Sequence, residues 1–425
     1  MNLEKFTNPL TLPSPPMGER VGVRGMNRRV VITGMGVVTP IGIGIEELQK
    51  GLREGRSGAG PLTRFEPDGF KSKNAFEVKD FTPPHGTRLL DPFIQYALEA
   101  AAEALEMAGF DPGVVDPYRV GMVVSSSKGG MHTFHALRER FIRWPSAILA
   151  ARCYANFLPN FACQWIARKW KLQGPAKCYI TACATGTTSI IEGARMIQDG
   201  MADYVIAGAS DASIVPTLFA GYEQMGVLSP DGMRPFDRRR KGFLLGEGAG
   251  IVFLETYESA RARHVKIYGE IIGFATGTDC FHPVMFDERE DALAYTLKKL
   301  LQNARLSIGE IDYMNLHGTA TERGDFYETE QIKKGFGKKA YQLATSSTKS
   351  MMGHMLGASG AVEVIASLIA LEGGFVPPTV DLEKEDPRCD LDYTPRRSRE
   401  KKMSAAVSIS LGFGGHIATI ALRKI

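Results

Sequence analysis

One order of elements occurs twice in this chain, and that repetition limits its possible folds more than any single motif does. Ala101–Pro112 followed by Asp116–Val124 reads as helix, short loop, strand, and Leu297–Ile308 followed by Ile311–His317 reads the same way. A second pairing begins with the β-prone run Lys177–Thr181, a turn of small residues and the segment Ser189–Gln198, apolar at helical spacing. It matches the strand Leu343–Ser347, the glycine-rich loop to Gly360 and the helix Ala361–Gly373. A third sets Val205–Ser210 against Ala405–Gly415. Alternating strands and helices predict an α/β fold. The repeated order predicts two duplicated halves, residues 26–260 and 261–425. In such a duplication the strand ends of both halves can face one shared cleft, where α/β proteins usually bind ligands.

Composition excludes several classes. With 425 residues, 44% hydrophobic and 23% charged, the chain has the make-up of a globular protein with room for two substantial cores. A net charge of +4 allows a local basic patch but gives no warrant for nucleic-acid binding. The six cysteines are scattered without a C-x-x-C pair, which argues against a zinc site and a secreted disulfide scaffold. No apolar run has the length of a membrane span, so a cytoplasmic setting is expected. Residues 1–25 are proline-rich and aperiodic and are expected to lie outside the fold, with Met26 as the true start. Gly34-Met-Gly36 partly matches a dinucleotide fingerprint, but Thr39 stands where the third glycine belongs, so a structural turn is expected.

The chemistry concentrates in Tyr179-Ile-Thr-Ala-Cys183-Ala-Thr-Gly186. A tight strand-to-helix turn, helped by Gly186, puts Cys183 beside a helix N-terminus, where free N–H groups favour negative charge. That setting lowers a thiol pKa. A lone free cysteine is more often core, so the groups that the fold brings to it decide its role. Two glycine-flanked histidines, His317 and His354, occupy the matching strand ends of the second half, and Lys349 lies close to His354. The histidines could hold a metal, yet they lack a ligand spacing and Lys349 opposes a bound cation, so no metal is expected. A thiol with two imidazoles and an ammonium fits covalent acyl chemistry better.

These residues stand in motifs that resemble a known family. Thr181-Ala-Cys183-Ala-Thr-Gly, Arg234-Pro-Phe-Asp237, Gly246-Glu-Gly-Ala-Gly250, His317-Gly-Thr-Ala-Thr321, Ser347-Thr-Lys-Ser-Met-Met-Gly-His354 and Gly412-Phe-Gly-Gly415 occur in order. From Arg28 to Ile425 the chain resembles the β-ketoacyl-acyl-carrier-protein synthases, most closely the elongating type II enzymes of the thiolase superfamily. The resemblance implies the five-layered α-β-α-β-α thiolase fold, a homodimer, acyl carrier protein as partner and no cofactor on the enzyme. The phosphopantetheine arm arrives with the carrier.

The resemblance also implies roles. Cys183 takes the acyl group as a thioester; His317 and His354 stabilise the enolate formed when malonyl-carrier loses CO2; Lys349 orients the site, with Glu328 as its expected partner and Asp325 nearby. The backbone N–H groups of Cys183 and Phe413 form an oxyanion hole, and Phe413 gates entry between Gly412 and Gly414. Thr319 and Thr321 hydrogen-bond the phosphopantetheine.

Some positions depart from the pattern. Leu411 replaces an aromatic, His416 and Ile417 alter the final motif, and Lys128 stands in Ser125-Ser-Ser-Lys-Gly-Gly where small or apolar residues are common. The segment from Trp144 to Trp170 diverges, which bears on chain-length preference. Arg138, Arg140 and Arg143 and the run Arg238–Lys241 are candidate docking patches for an acidic carrier. A thiolase or starter-type condensing enzyme is disfavoured by the His317/His354 pair, and a non-catalytic chain-length factor by the presence of Cys183. A ketosynthase of a specialised polyketide or unusual-lipid pathway would carry the same residues.

Overall fold

The computed structural model describes residues 28–144, 154–287 and 289–425. The expected extension 1–25, the start at Met26 and part of the divergent segment, residues 145–153, lie outside the described residues.

Among the described residues the main sheet has eleven strands, of which Gly42–Ile43 pairs only with the first and ten run in series: β1 Val30–Thr39, β2 Val120–Ser125, β3 Ala176–Lys177, β4 Tyr204–Asp211, β5 Gly248–Thr256, β6 Gly269–Thr278, β7 Tyr313–Asn315, β8 Ala344–Ser346, β9 Ala405–Gly412 and β10 His416–Arg423. They run side by side as β8-β7-β9-β10-β6-β1-β5-β4-β2-β3. From the centre outward, each side reads first, fifth, fourth, second, third strand of its own half. The two sides meet where Val30–Ile32 of β1 pair antiparallel with Gly269–Ile271 of β6.

Helices complete five layers. α1 (Pro92–Met107) covers the outer face of β1, β5 and β4, while α4 (Ala292–Ala304) covers β6 and β10 with α5 (Glu322–Phe336) beside it. Between the two sides of the sheet lie α3 (Thr185–Gln198) and α6 (Gly357–Gly373), packed on each other. This is the α-β-α-β-α thiolase-like fold built from two duplicated halves. α2 (Met131–Arg143) buries no residue of its own.

Burial explains the composition of these elements. All ten residues of β1 are buried, because helices cover both faces, so apart from Thr33 and Thr39 the strand is apolar rather than alternating. α6 is buried from Gly357 to Leu371, and a helix enclosed on all sides is apolar all round. Glycines set the spacing at two contacts. A Cβ on Gly186 would lie 2.4 Å from the Ala361 nitrogen, so glycine lets α3 and α6 touch. Cβ atoms on Gly34 and Gly36 would lie 1.9 and 2.0 Å from the carbonyl oxygens of Ala104 and Ala100 in α1. Gly34-Met-Gly36 is therefore packing surface inside β1, not the expected turn.

The strand expected over Lys177–Thr181 is cut to Ala176–Lys177. Its later N–H groups leave the ladder: Tyr179 donates to Ser125 Oγ at 3.0 Å, and Thr181 to Thr185 Oγ1 at 3.0 Å. The chain thereby turns out of the sheet towards Cys183.

Candidate active site

Cys183 sits in a short 3-10 turn, Ala182–Ala184, immediately before α3. The left-handed residue in this turn is Ala182, with φ 48°, so the strain falls on the residue before Cys183 and not on Gly186. In the second half the chain again turns sharply before its central helix, at Leu356 with φ 49°, two residues after His354. The two turns face each other. His354 Nε2 lies 3.1 Å from Cys183 Sγ. The His354 and His317 rings stand edge to face with centroids 5.5 Å apart. All three side chains border one cavity of about 540 Å³, which Thr319, Thr321, Leu411 and Phe413 also line.

The histidines are built to stay neutral. Burial, and then the charge of Lys349, hold both imidazoles well below their ordinary pKa. Ser359 Oγ lies 3.2 Å from His354 Nδ1; with that hydroxyl donating, Nε2 carries the hydrogen and directs it at the sulfur. The Phe243 ring packs edge-on against His354 at 5.0 Å. His317 is aligned through its backbone: Glu328 accepts the N–H groups of His317 and Gly318 at 2.7 and 2.8 Å. Burial pushes the Glu328 carboxyl up to about 7, with these two donors acting against the rise.

Lys349 has a different partner from the one expected. Its ammonium is ion-paired to Glu363 of α6, both fully buried, and Glu328 is occupied with the His317 turn. Glu363 was not singled out from sequence, yet it is the lone carboxylate among the buried residues of α6, and a single acid in an apolar helix is a readable signal. Asp325 accepts the Phe236 N–H at 2.7 Å and faces Arg240 at 3.8 Å, bracing the turn that carries Thr319 and Thr321. Those two hydroxyls lie 3.0 Å apart at the cavity wall.

The thiol departs from expectation. Burial pushes Cys183 up to about 11, against the opposing charges of Lys128 and Lys349 and the Phe413 N–H at its sulfur. The helix N-terminus does not by itself give a standing thiolate. Beside it, Gly412 is required by space: a Cβ there would lie 2.4 Å from the Thr181 oxygen and 3.2 Å from the Cys183 nitrogen. Gly414 and Gly415 have φ 88° and 75°, and the Gly414 N–H donates to the Pro283 oxygen at 2.6 Å. The glycine loop is thus fastened to residues 279–287, of which Val284, Met285 and Phe286 also line the cavity.

The basic run 238–241 is not a free patch. Arg240 is buried and bonds to Asp386 Oδ2 at 2.7 Å and to the carbonyl oxygens of Asp237 and Glu322. Arg239 is held by Asp237 and Glu383, and Lys241 by Asp231. Arg238 remains exposed. Arg323, also exposed, borders the cavity mouth and was not singled out from sequence.

Comparison with known proteins agrees with this geometry. The family model described as β-ketoacyl synthase, N-terminal domain, matches residues 27–260, and the corresponding C-terminal domain matches residues 268–383. A curated 3-oxoacyl-(acyl-carrier-protein) synthase 2 of Coxiella burnetii is 38% identical over 94% of this chain and 99% of its own length. A putative polyketide β-ketoacyl synthase 1 of Streptomyces cyaneus is also 38% identical, over 93% of this chain and 98% of its own. Among solved structures, the ishigamide ketosynthase/chain length factor superposes with a TM-score of 0.89 at 35% identity, covering 94% of this chain and 99% of its own.

Proposed function

The chain belongs to the β-ketoacyl synthase family, and from that premise we propose how its residues divide the work of condensation. It is an acyltransferase, a 3-oxoacyl-acyl-carrier-protein synthase that joins a Cys-bound acyl chain to malonyl-carrier protein by decarboxylative Claisen condensation in fatty acid elongation. The observation that carries the assignment of roles is the 3.1 Å approach of His354 Nε2 to Cys183 Sγ, with His317 across the same cavity.

In the first stage Cys183 attacks the acyl thioester, the acyl carbon bonds to Sγ, and the carrier's pantetheine sulfur leaves with the proton. The N–H groups of Cys183 and Phe413 receive the oxyanion, and Gly412 keeps that space open. In the second stage malonyl-carrier enters and loses CO2. The neutral imidazoles of His317 and His354 donate to the thioester oxygen where the enolate charge develops. The carbanion then attacks the Cys183 thioester and releases the lengthened chain on its carrier. Neutral donors suit this stage, since two imidazolium ions beside Lys349 would repel each other. Lys349, neutralised by Glu363, orients the pair; Asp325 and Glu328 hold the turn that bears His317, Thr319 and Thr321, and those threonines bind the phosphopantetheine. Phe413 gates the cavity.

Several further assignments are ours as well. We assign residues 26–260 to the half that carries the nucleophile and 261–425 to the half that carries the histidines. The partner is acyl carrier protein, the enzyme needs no bound cofactor or metal, and it works in the cytoplasm; among the described residues no helix is long and apolar enough to cross a membrane. A homodimer would cover some of the exposed apolar side chains of Phe141, Ile142, Trp144 and Tyr154. The Streptomyces cyaneus relative keeps a specialised polyketide pathway as the second reading. Incubation with a panel of acyl-carrier proteins and malonyl-carrier protein separates the two. Saturated chains lengthened by one two-carbon unit, and used best by the enzyme, support fatty acid elongation; exclusive use of poly-β-keto chains sinks it.

A further inference from the structure

The helix Pro216–Gln224, which follows β4, buries two side chains, Phe219 and Tyr222, three residues apart and so on one face. Phe219 packs edge-on against Phe65 and Phe70, with ring centroids 5.5 and 5.1 Å apart. Tyr222 packs edge-on against Phe243 at 5.6 Å, and Phe243 in turn against His354 at 5.0 Å. Cys183, Tyr222, Phe243 and Leu356 belong to one buried apolar cluster, with Phe413 packed against it. All five border the cavity. Tyr222 is only 8% exposed, yet its hydroxyl has no hydrogen-bond partner among the described residues. The other two hydroxyls on the cavity wall, Thr319 and Thr321, lie 3.0 Å apart and bond each other. A phenyl ring would pack this wall as well, without the cost of an unpaired hydroxyl in apolar surroundings. Burial raises the phenol above its ordinary pKa, so it stays protonated and can donate.

We propose that Tyr222 is a specificity-determining residue whose hydroxyl bonds an oxygen carried on the acyl chain, a hydroxyl or keto group, while that chain is held on Cys183. This rests on Cys183 being the nucleophile. A chain bonded to Sγ starts within the cluster that contains Tyr222, whereas the threonines assigned to the phosphopantetheine stand outside it, in the turn after His317. The acyl chain is therefore the part of the substrate that this hydroxyl meets. Phe243, Leu356 and Phe413 give a saturated chain apolar contact. An oxygen at one point of the chain adds a hydrogen bond that none of these three side chains can make. The wall thus admits oxygen-bearing chains beside the saturated chains of elongation, and the fixed place of Tyr222 selects the carbon that bears the oxygen.

The test is single-turnover acylation of the full chain, read by intact mass and peptide mapping. The donors are matched acyl-carrier proteins bearing a saturated chain or the same chain with one hydroxyl at successive carbons. In the native chain the rate across the hydroxylated series should peak at one carbon. For that carbon, Y222F should lower the ratio of hydroxylated to saturated rate by about threefold to tenfold, the range for one hydrogen bond between neutral groups. An unchanged ratio in Y222F overturns the proposal. If both rates fall together, the hydroxyl serves the pantetheine arm that the donors share. Should Y222F fail to fold, the native series decides, and rates independent of hydroxyl position overturn the proposal. An acyl increment mapped away from Cys183 defeats the nucleophile assignment, and the proposal with it.

Discussion

The two halves use one backbone device for opposite chemical ends. In each, a short strand leaves the sheet, the chain passes through a left-handed non-glycine residue, and a buried helix begins: Ala182 before α3, Leu356 before α6. In the proposed mechanism the first turn presents a thiol whose proton must leave, and the second an imidazole that keeps the same protonation state through the reaction. Burial acts on both and makes each group neutral, raising the thiol to about 11 and depressing the imidazole. For His354 that result suits the proposed donor role directly, whereas the proposed role of Cys183 runs against its burial. Duplication thus supplied the geometry, and the charges placed around each turn decide what it does.

The sharpest way to break this comparison is to remove the second half's contribution. H317A and H354A should each lower malonyl-carrier decarboxylation by about a hundredfold to a thousandfold, the scale for losing one preorganised donor. Near-native decarboxylation in either would refute the two-histidine site. The charge support beneath them comes next. E363A leaves Lys349 buried without its counter-ion and should cost about 3–5 kcal/mol of stability in denaturant titrations. E328A, if Glu328 were the true partner, would be the costlier of the two; that order would contradict the assigned pairing.

The pH dependence separates the halves more finely. Because both imidazoles titrate well below the ordinary value near 6.5, they stay neutral as pH falls from about 8 to about 6, and decarboxylation should be flat there. Cys183 alkylation should instead fall about tenfold for each unit that pH drops over the same range, since its thiol is raised to about 11 and the thiolate is the reactive form. A decarboxylation rate that falls through pH 6.5 would mean ordinary histidines. The smallest effect concerns carrier docking. R323E, at the cavity mouth, should weaken carrier-protein binding severalfold at low salt and less at high salt. R240E should disrupt folding instead, because that guanidinium is buried against Asp386.

Much of this was legible in the sequence, for physical reasons that particular residues make plain. The repeat was visible because buried strands such as β4 and β9 read as largely apolar runs and the helix after Cys183, α3, carries apolar residues at helical spacing. Cys183, His317 and His354 were readable because glycine and small residues mark the turns that present them. What stayed hidden depends on partners far apart in the chain. Nothing local ties Lys349 to Glu363 rather than to Glu328, and only the packing of α6 decides it. Gly186 was read as turn material, but the turn takes its strain at Ala182 while Gly186 makes room for Ala361. The run 238–241 looked like a basic patch, yet the charges of Arg239, Arg240 and Lys241 are spent on Asp237, Glu383, Asp386 and Asp231, and Arg238 stays exposed.

The central claim is that the first-half turn carries the acyl group on Cys183 while the second half only assists. Intact-mass spectrometry after incubation with acyl-carrier protein alone tests it most directly. The account predicts one acyl increment on the native chain, mapped to Cys183, its retention in H317A, and its absence in C183A. An increment that survives C183A, or condensation by that purified variant, would contradict it.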